Sequence, residues 1–341
     1  MKKNETTQEL AVLDLINKHF WKSKVGPISA LAIPIFLMII YKIIGKDETE
    51  VFTGGLPSYF SFSILPLAFI SLPQMLVEFK TSIILRKIST SKVTAIKFCT
   101  IMLAYNFVAI LSANILIILF YAMFLNVDAP DAFANINWWE LLYALFNVYI
   151  STLSFGLLLG VLINKNNLVQ SIGFCFVIVS ITFSGQFVPI SVLYRSGAMQ
   201  YIALISPTSY SLNLMNVVLL PSNSESILKL FEQEVNGVKL VQIIQDSNYD
   251  TTELREKLQD LENYKFNGIF DIKNDFKIFT LSVVESNIEL KPTNQKILIA
   301  TKLTESTIYR PWQNILDLIM PYVLTIVFLF VAIKKFKWTS R

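Results

Sequence analysis

The sequence predicts an all-α polytopic membrane protein with six transmembrane helices. Of its 341 residues, 53% are hydrophobic and only 16% are charged, whereas a soluble domain carries about 25% charged residues. The mean hydropathy is +0.53. A helix needs roughly 20 consecutive apolar residues to cross a bilayer. Apolar runs of that order lie at 25–44, 58–77, 98–125, 139–163, 168–190 and 314–333.

Residues 1–24 precede the first span and are polar or amphipathic. No small-residue cleavage site follows that span, so we expect it to stay as an anchor rather than be removed as a signal peptide. Within this segment Leu10, Leu13, Ile16 and Phe20 recur at helical spacing. The pattern predicts an amphipathic interfacial helix in the inner headgroup layer. An ordinary lead-in helix is the alternative.

The charge distribution predicts the orientation, because Lys and Arg of short loops accumulate on the cytoplasmic side. With the N-terminus inside, the inside segments hold 15 basic residues and the short outside segments hold three. We therefore predict a multi-pass protein of the cell (plasma) membrane with both termini cytoplasmic. The chain then divides into parts at 1–24, 25–220, 221–313 and 314–341.

The segment 221–313 differs from the rest because it is rich in charge and lies on the predicted outer side. Asp250 with Glu253 three residues later is typical of a capped helix start. The stretches 276–285 and 295–303 alternate in a way that predicts strands. We therefore expect a small extracytoplasmic α/β domain, followed by the sixth span and a basic cytoplasmic tail.

Several kinds of site have no counterpart in the sequence. There is no G-x-x-x-x-G-K-[ST] phosphate loop. No span carries a charge near its centre, which weakens an ion-coupled transporter, and no acid, base and nucleophile set indicates an enzyme. Cys99 and Cys175 are expected to be apolar span residues without a disulfide, and His19 has no Cys or His neighbour for a metal site. Energy for uphill transport would therefore have to come from another chain.

One basic stretch, EFKTSIILRKISTSKVTAIKF, interrupts the apolar runs at 78–98 with five Lys or Arg residues and one acid. An acid ends the span, a short amphipathic segment with a Leu-Arg pair follows, and a Ser/Thr-rich turn leads into the next span. The residues in these places are Glu78, Leu85, Arg86, Ser89, Thr90 and Ser91. A second pattern lies in 184–219, where the corresponding positions are Gly185, Pro189, Pro207 and Tyr210.

In both places the chain resembles the permease subunit of an ABC-2 type (type V exporter) ABC transporter. The resemblance covers 7–220 and 311–341. It departs from the family at Leu193 and Tyr194, where a second proline is expected, and in the large 221–313 segment. In the family, the stretch after the fifth span dips back into the outer leaflet as a re-entrant segment. The residues assigned to it here are Gly185, Pro189, Arg195, Pro207 and Tyr210.

The resemblance implies a permease that hydrolyses no ATP itself, so its cofactors, ATP and Mg, belong to a partner. The implied partners are an ABC ATP-binding subunit, a second permease copy (homodimer or related permease) and the lipid bilayer, with no nucleic acid. The predicted interface with the ATP-binding subunit consists of Glu78, Ile84, Leu85, Arg86, Lys87, Ile88 and Ser89. A basic loop resting on anionic lipid is the alternative for this turn.

Polar residues are costly in a span unless they face protein or a cavity. Candidates for a translocation path between protomers are Asn106, Asn114, Phe146, Asn147 and Phe183. For each Asn the alternative is a hydrogen bond between helices. Gly156 and Gly160 form a small-xxx-small pair and are candidates for dimer packing. Arg195 and Asp317 are a candidate outer gate.

The favoured hypothesis is thus an exporter permease for a drug, peptide or lipid-like substrate. Two other hypotheses stay open. In the first, the chain is a membrane-anchored interaction or scaffold protein whose 221–313 domain does the work. In the second, it is a channel or an ion-coupled carrier that needs no ATP.

Overall fold

The computed structural model describes a defined part of the chain. The described residues are 2–22, 28–44, 56–82, 93–125, 137–184, 206–215, 218, 234–235, 238–239, 276–282, 287–290, 295–298, 302–309 and 311–336.

Helices dominate the described residues. α1 is Lys2–Lys22, and α2 is Ile33–Ile44 after a π-helical turn at Ile28–Ala32. α3 consists of Leu56–Pro66, a π-helical turn at Leu67–Ser71, and Leu72–Thr81. The remaining long helices are α4 (Ala95–Leu125), α5 (Trp138–Leu162), α6 (Asn166–Phe183) and α7 (Pro311–Lys335).

Among the described residues, five helices are long and apolar enough to cross a membrane. They are the stretches Pro57–Thr81, Ala95–Met123, Trp138–Leu162, Asn166–Phe183 and Ile315–Lys335 of α3 to α7. These match five of the six predicted spans and indicate a multi-pass membrane protein. The run at 25–44 contains a shorter apolar helix, Ala30–Ile40, so a span at 25–44 stays a prediction.

α3 and α5 form the centre of the bundle. Their apolar stretches are 83% and 78% buried, whereas those of α4, α6 and α7 are 28%, 28% and 17% buried. Phe155 of α5 packs edge-on against Phe69 of α3 and Phe176 of α6, and it also contacts Phe328 of α7. The outer helices therefore present apolar faces of the kind that lipid covers.

The π-helical turn of α3 has an identifiable cause. Pro73 has no N–H, so it cannot donate to the carbonyls of Phe69 and Ala68, four and five residues before it. The N–H of Leu72 donates to the carbonyl of Leu67, five residues back, which is the π-helical pattern. The centre of α3 therefore carries carbonyl groups that the helix itself leaves without their usual donor.

Two glycines of neighbouring helices lie against these carbonyls. A Cβ atom on Gly156 of α5 would collide with the carbonyl of Ala68, and one on Gly173 of α6 would collide with that of Phe69. Gly160 faces the same helix, where a Cβ would come within 2.9 Å of a backbone atom. In the structure Gly156 and Gly160 lie against α3 of the same chain, and their role in dimer packing stays a prediction. The absent side chains let α5 approach α3 of the same chain.

The strands among the described residues form antiparallel pairs. They are β1 (Glu234–Val235) with β2 (Val238–Lys239), β3 (Phe276–Ser282) with β6 (Lys302–Tyr309), and β4 (Asn287–Leu290) with β5 (Gln295–Leu298). β3 and β5 fall inside the stretches predicted as strands. The helix predicted from Asp250 lies outside the described residues, so the α/β domain as a whole stays a prediction.

Candidate functional site

α3 ends where the basic stretch begins. The backbone N–H of Ser82 donates to the carbonyls of Glu78 (3.1 Å) and Phe79 (3.3 Å), and its hydroxyl donates to the carbonyl of Phe79 (2.9 Å). These bonds close the last turn at Thr81. Of the predicted partner interface, Glu78 is therefore described. The other members, Ile84, Leu85, Arg86, Lys87, Ile88 and Ser89, lie outside the described residues.

The Glu78 carboxylate joins three helices. Its Oε1 accepts hydrogen bonds from Nε2 of Gln74, at 2.9 Å, and from Nδ2 of Asn166 on α6, at 3.4 Å. Its Oε2 lies 2.5 Å from Nε2 of His19 on α1, and the two side chains are only 28% and 25% exposed. The contact with His19 is an ion pair whenever the imidazole is protonated. A single acid at the end of α3 thus contacts both α1 and α6.

The contact between the Glu78 carboxylate and α6 is favourable because it lies at the amino end of that helix. Asn166 is the first residue of α6, and the amino end of a helix attracts negative charge. One turn further along, Nε2 of Gln170 donates to Oε1 of Gln74 at 3.0 Å. Two polar contacts therefore fix the start of α6 to the last turns of α3.

Lys80 makes a second set of contacts from the same turn. Its side chain is buried, at 8% exposure. Its Nζ donates to the carbonyls of Val161 (2.6 Å), Gly160 (2.7 Å) and Ile163 (3.3 Å), and to Oδ1 of Asn164 (3.3 Å). α5 ends at Leu162, and the last carbonyls of a helix lack intrahelical donors. A cation at this end satisfies them and complements the helix dipole.

Gln74, Glu78 and Lys80 together form what we call the α3-end cluster. It places a cation at the carboxyl end of α5 and an anion at the amino end of α6. Only residues 163–165 separate these two helices. The cluster therefore holds the α5–α6 hairpin at its turn, directly beside the point where the basic stretch leaves α3.

α1 lies on the same end of the bundle. The His19 ring is 4.9 Å from that of Phe79, and the hydroxyl of Tyr105 on α4 donates to Oδ1 of Asn17 at 2.8 Å. Nζ of Lys97 lies 3.1 Å from a carboxylate oxygen of Glu9. α1 is thus attached to both α3 and α4.

The apolar residues of α1 are split between two faces, which the sequence pattern did not reveal. Ile16 and Phe20 are buried against the protein, whereas Leu10 and Leu13 are exposed together with Trp21. The exposed residues form the face that could contact lipid. The interfacial position of this helix stays a prediction.

The sequence offered His19 only as a metal ligand, a role for which it has no Cys or His neighbour. Within the residues that the structure describes, no group of three His, Cys, Asp or Glu side chains could hold a metal ion. The structure gives His19 a different place, against Glu78. No spacing pattern in the sequence could predict a contact between His19 and Glu78, which are far apart in the chain. The sequence did show each of them separately, as an isolated histidine before the first span and as an acid at the end of the second.

Three of the predicted path residues, all asparagines, are buried in the helix packing of this chain. Nδ2 of Asn114 on α4 donates to the hydroxyl of Tyr149 on α5 at 2.6 Å. Asn106 and Asn147 donate instead to carbonyls of their own helices, at 2.8 Å and 2.9 Å. All three amides are at least 98% buried, and the Oδ1 atom of each has no hydrogen-bond partner among the residues that the structure describes.

The two aromatic candidates differ from the amides. Phe146 is 44% exposed and packs edge-on against Phe107, which also contacts Tyr149. Phe183 is partly buried at the end of α6. Asn114 and Phe146 therefore belong to one α4–α5 contact. The bonds described above do not connect Asn106, Asn147 or Phe183 to this contact.

The predicted re-entrant segment is described only in part. Pro207 and Tyr210 lie in residues 206–215, which are helical from 209 to 215, whereas Gly185, Pro189 and Arg195 lie outside the described residues. The predicted gate between Arg195 and Asp317 is therefore untested.

Asp317 is nevertheless placed near this segment. It is 2% exposed, and burial, followed by the charge of Asp317, raises the pKa of Tyr210.

Buried hydroxyl groups fasten this segment to the bundle. The hydroxyl of Thr208 donates to Ser180 Oγ of α6 at 2.8 Å, and Ser211 Oγ lies 3.0 Å from Ser151 Oγ of α5. All four side chains are at most 1% exposed. Sequence reasoning missed them, although the run SPTSYS at 206–211 was a visible signal.

Comparison with protein-family models matches residues 7–220, more than half of the chain, to the ABC-2 type transporter family. No curated protein matches the chain. No solved structure matches it either.

Proposed function

Because the chain belongs to the ABC-2 type transporter family, we propose that this transporter permease is the membrane subunit of an ATP-driven exporter. A separate ATP-binding subunit would dock on the basic turn at 78–98 and carry the ATP and Mg. We call the part of this turn that follows α3, residues 83–92, the docking turn. This chain would bind neither. The alternative role of the turn, contact with anionic lipid, is compatible with the same charge.

The α3-end cluster is the observation that supports this proposal. The docking turn follows α3 in the sequence, and the last turns of α3 contact α1, α5 and α6 through Gln74, Glu78 and Lys80. A displacement of the turn by a partner would therefore act on three helices at once. A loop that only rests on lipid requires no such attachment.

The remaining parts of the proposal follow from the charge distribution and the family. Both termini would be cytoplasmic, residues 221–313 would be extracytoplasmic, and the protein would lie in the cell membrane. Two copies, or this chain and a related permease, would enclose the path. The substrate would be a drug, a peptide or a lipid-like molecule.

A second candidate function rests on the strands. The antiparallel strand pairs between 234 and 309 favour folded structure in this segment. A simple connecting loop would not need such structure. In this alternative, the helices anchor an interaction or scaffold protein whose working part is 221–313. It requires no ATP-binding partner.

The test is extraction of the chain from its native membrane in mild detergent, followed by mass identification of the proteins that accompany it. The variants are Glu78→Ala and Arg86→Glu. Lys335→Glu is the control, because Lys335 is exposed at the end of α7. A stoichiometric P-loop ATPase that is lost from the two variants but retained by the control would support the exporter. Recovery without an ATPase, but with a protein that binds the 221–313 segment, would support the scaffold.

A further inference from the structure

We infer that Lys80 is a positioning residue that makes the α5–α6 hairpin move together with the docking turn. The inference rests on the proposed function, since it concerns how a partner's movement reaches the permease. Lys80 would touch neither nucleotide nor substrate. It would act through the carboxyl end of α5.

The contacts of Lys80 are those of a fixed attachment rather than a solvated charge. Its Nζ reaches four oxygen atoms within residues 160–164. A buried ammonium group is costly unless such partners surround it. If the ammonium group withdrew, the terminal carbonyls of α5 would lose their donor in a poorly hydrated place. Separation of α3 from α5 at this point is therefore unfavourable.

The geometry of the last turn makes this attachment directional. Residues two apart in an α-helix project about 200° apart around its axis. Glu78 therefore contacts α6 and α1 from one side of α3 while Lys80 contacts α5 from nearly the opposite side. The last turn cannot rotate or slide without either breaking one set of contacts or carrying the hairpin with it.

The place in the chain connects this attachment to the docking turn. Lys80 is two residues before Ser82, where the helix closes. Lys80 and Ser82 are joined by hydrogen bonds of the same last helical turn, in which the N–H of Ser82 donates to the carbonyls of Glu78 and Phe79. If a partner displaced residue 82, Lys80 would be displaced with it. Lys80 would in turn displace the start of the 163–165 connection, to which it is hydrogen-bonded.

The test is hydrogen exchange measured by mass spectrometry on the native complex of the permease with its ATP-binding subunit. Exchange is compared with and without a non-hydrolysable ATP analogue. The peptides that matter cover the docking turn, 83–92, and the hairpin turn, 158–170. Wild type is compared with Lys80→Met, which keeps the length of the side chain but removes its donors. Lys335→Met is the matched control.

We expect the analogue to change exchange in both peptides of wild type and of the control. In Lys80→Met the change at 83–92 should remain and the change at 158–170 should become clearly smaller, since only the contacts of Gln74 and Glu78 with α6 are left. A purely structural lysine would instead raise exchange at 158–170 equally with and without the analogue, which would overturn the inference. The inference would also be overturned if wild type showed no nucleotide response at 158–170. It would be overturned as well if the response at 158–170 were the same in Lys80→Met as in wild type.

Two further outcomes separate this inference from the proposed function. Absence of a nucleotide response at 83–92 in wild type would overturn both, since no partner would then act on the turn. If Lys80→Met does not assemble, Lys80→Gln and Lys80→Arg replace it. Gln lacks the charge and should weaken the response at 158–170, whereas Arg keeps charge and donors and should preserve most of it. Equal responses in both variants would contradict the inference.

Discussion

Glu78 and Lys80, two residues apart on the last turn of α3, contact opposite ends of two consecutive helices. Lys80 Nζ lies 2.6 Å from the carbonyl of Val161 at the carboxyl end of α5. Glu78 accepts a hydrogen bond from Asn166 at the amino end of α6. Each charge therefore has the sign that its helix end favours, and the hairpin turn is held from both sides.

The contact between His19 and Glu78 should show energetic coupling. We expect Glu78→Gln to cost about 1 kcal/mol of stability, because it removes a negative charge from the amino end of α6. After His19→Gln, the same substitution should cost less, since residues in contact are not additive. A double-mutant cycle of thermal unfolding in detergent measures the difference. The exposed Asp14–Lys18 pair serves as a control with almost no coupling, and strict additivity of His19 and Glu78 would refute the contact.

Gly173→Ala should destabilise the protein although alanine favours helices. An added methyl group would strike the carbonyl of Phe69, and overpacking typically costs about 1–3 kcal/mol. In an open helix position the same change would stabilise by up to about 1 kcal/mol, so the sign of the effect is decisive. Thermal unfolding is the measurement. Ser171→Ala, on the exposed face of α6, should change stability little.

The hydrogen bond between Asn114 and Tyr149 should couple α4 to α5. Tyr149→Phe removes the hydroxyl that accepts the 2.6 Å bond, and interhelical bonds in membranes contribute about 0.6 kcal/mol and at most about 1.7 kcal/mol. A double-mutant cycle that combines Tyr149→Phe with Asn114→Leu should give a coupling free energy of that size. Asn106→Leu in the same cycle should give none, because Asn106 donates to its own helix. Equal coupling for both amides would show that the bond does not exist.

Thr208→Val should loosen the 206–215 segment. The substitution keeps the shape of the side chain but removes a hydroxyl that donates to Ser180 Oγ and lies 3.3 Å from Ser206 Oγ. We expect faster hydrogen exchange across 206–215. Ser209→Ala is the matched control, since Ser209 is equally buried but its hydroxyl has no hydrogen-bond partner within the described part of the chain. Faster exchange in the control alone would reverse the assignment.

Parts of this architecture were accessible from sequence because they depend on local composition. The long apolar runs of α4, α5 and α7 predict spans by length alone. Glu78 was recognised because it fits the acid that ends the second span in the family that the chain resembles. The run at 25–44 predicts a span equally clearly, but the apolar helix described there, Ala30–Ile40, is shorter and includes part of a π-helical turn. Lys80 appeared only as one more basic residue, because its partners are 80 positions away in the chain. Likewise, Gly156 and Gly160 indicate a close approach of helices but not which helix approaches.

The π-helical turn of α3 links the choice of residue at three distant positions. Pro73 leaves the carbonyls of Ala68 and Phe69 without their usual donor, and Gly156 and Gly173 leave room for them. A related chain with another residue at 73 would regain an N–H, straighten this turn and no longer need glycine at 156 and 173. We therefore expect the three positions to vary together among relatives, so that a substitution tolerated in one background is damaging in another.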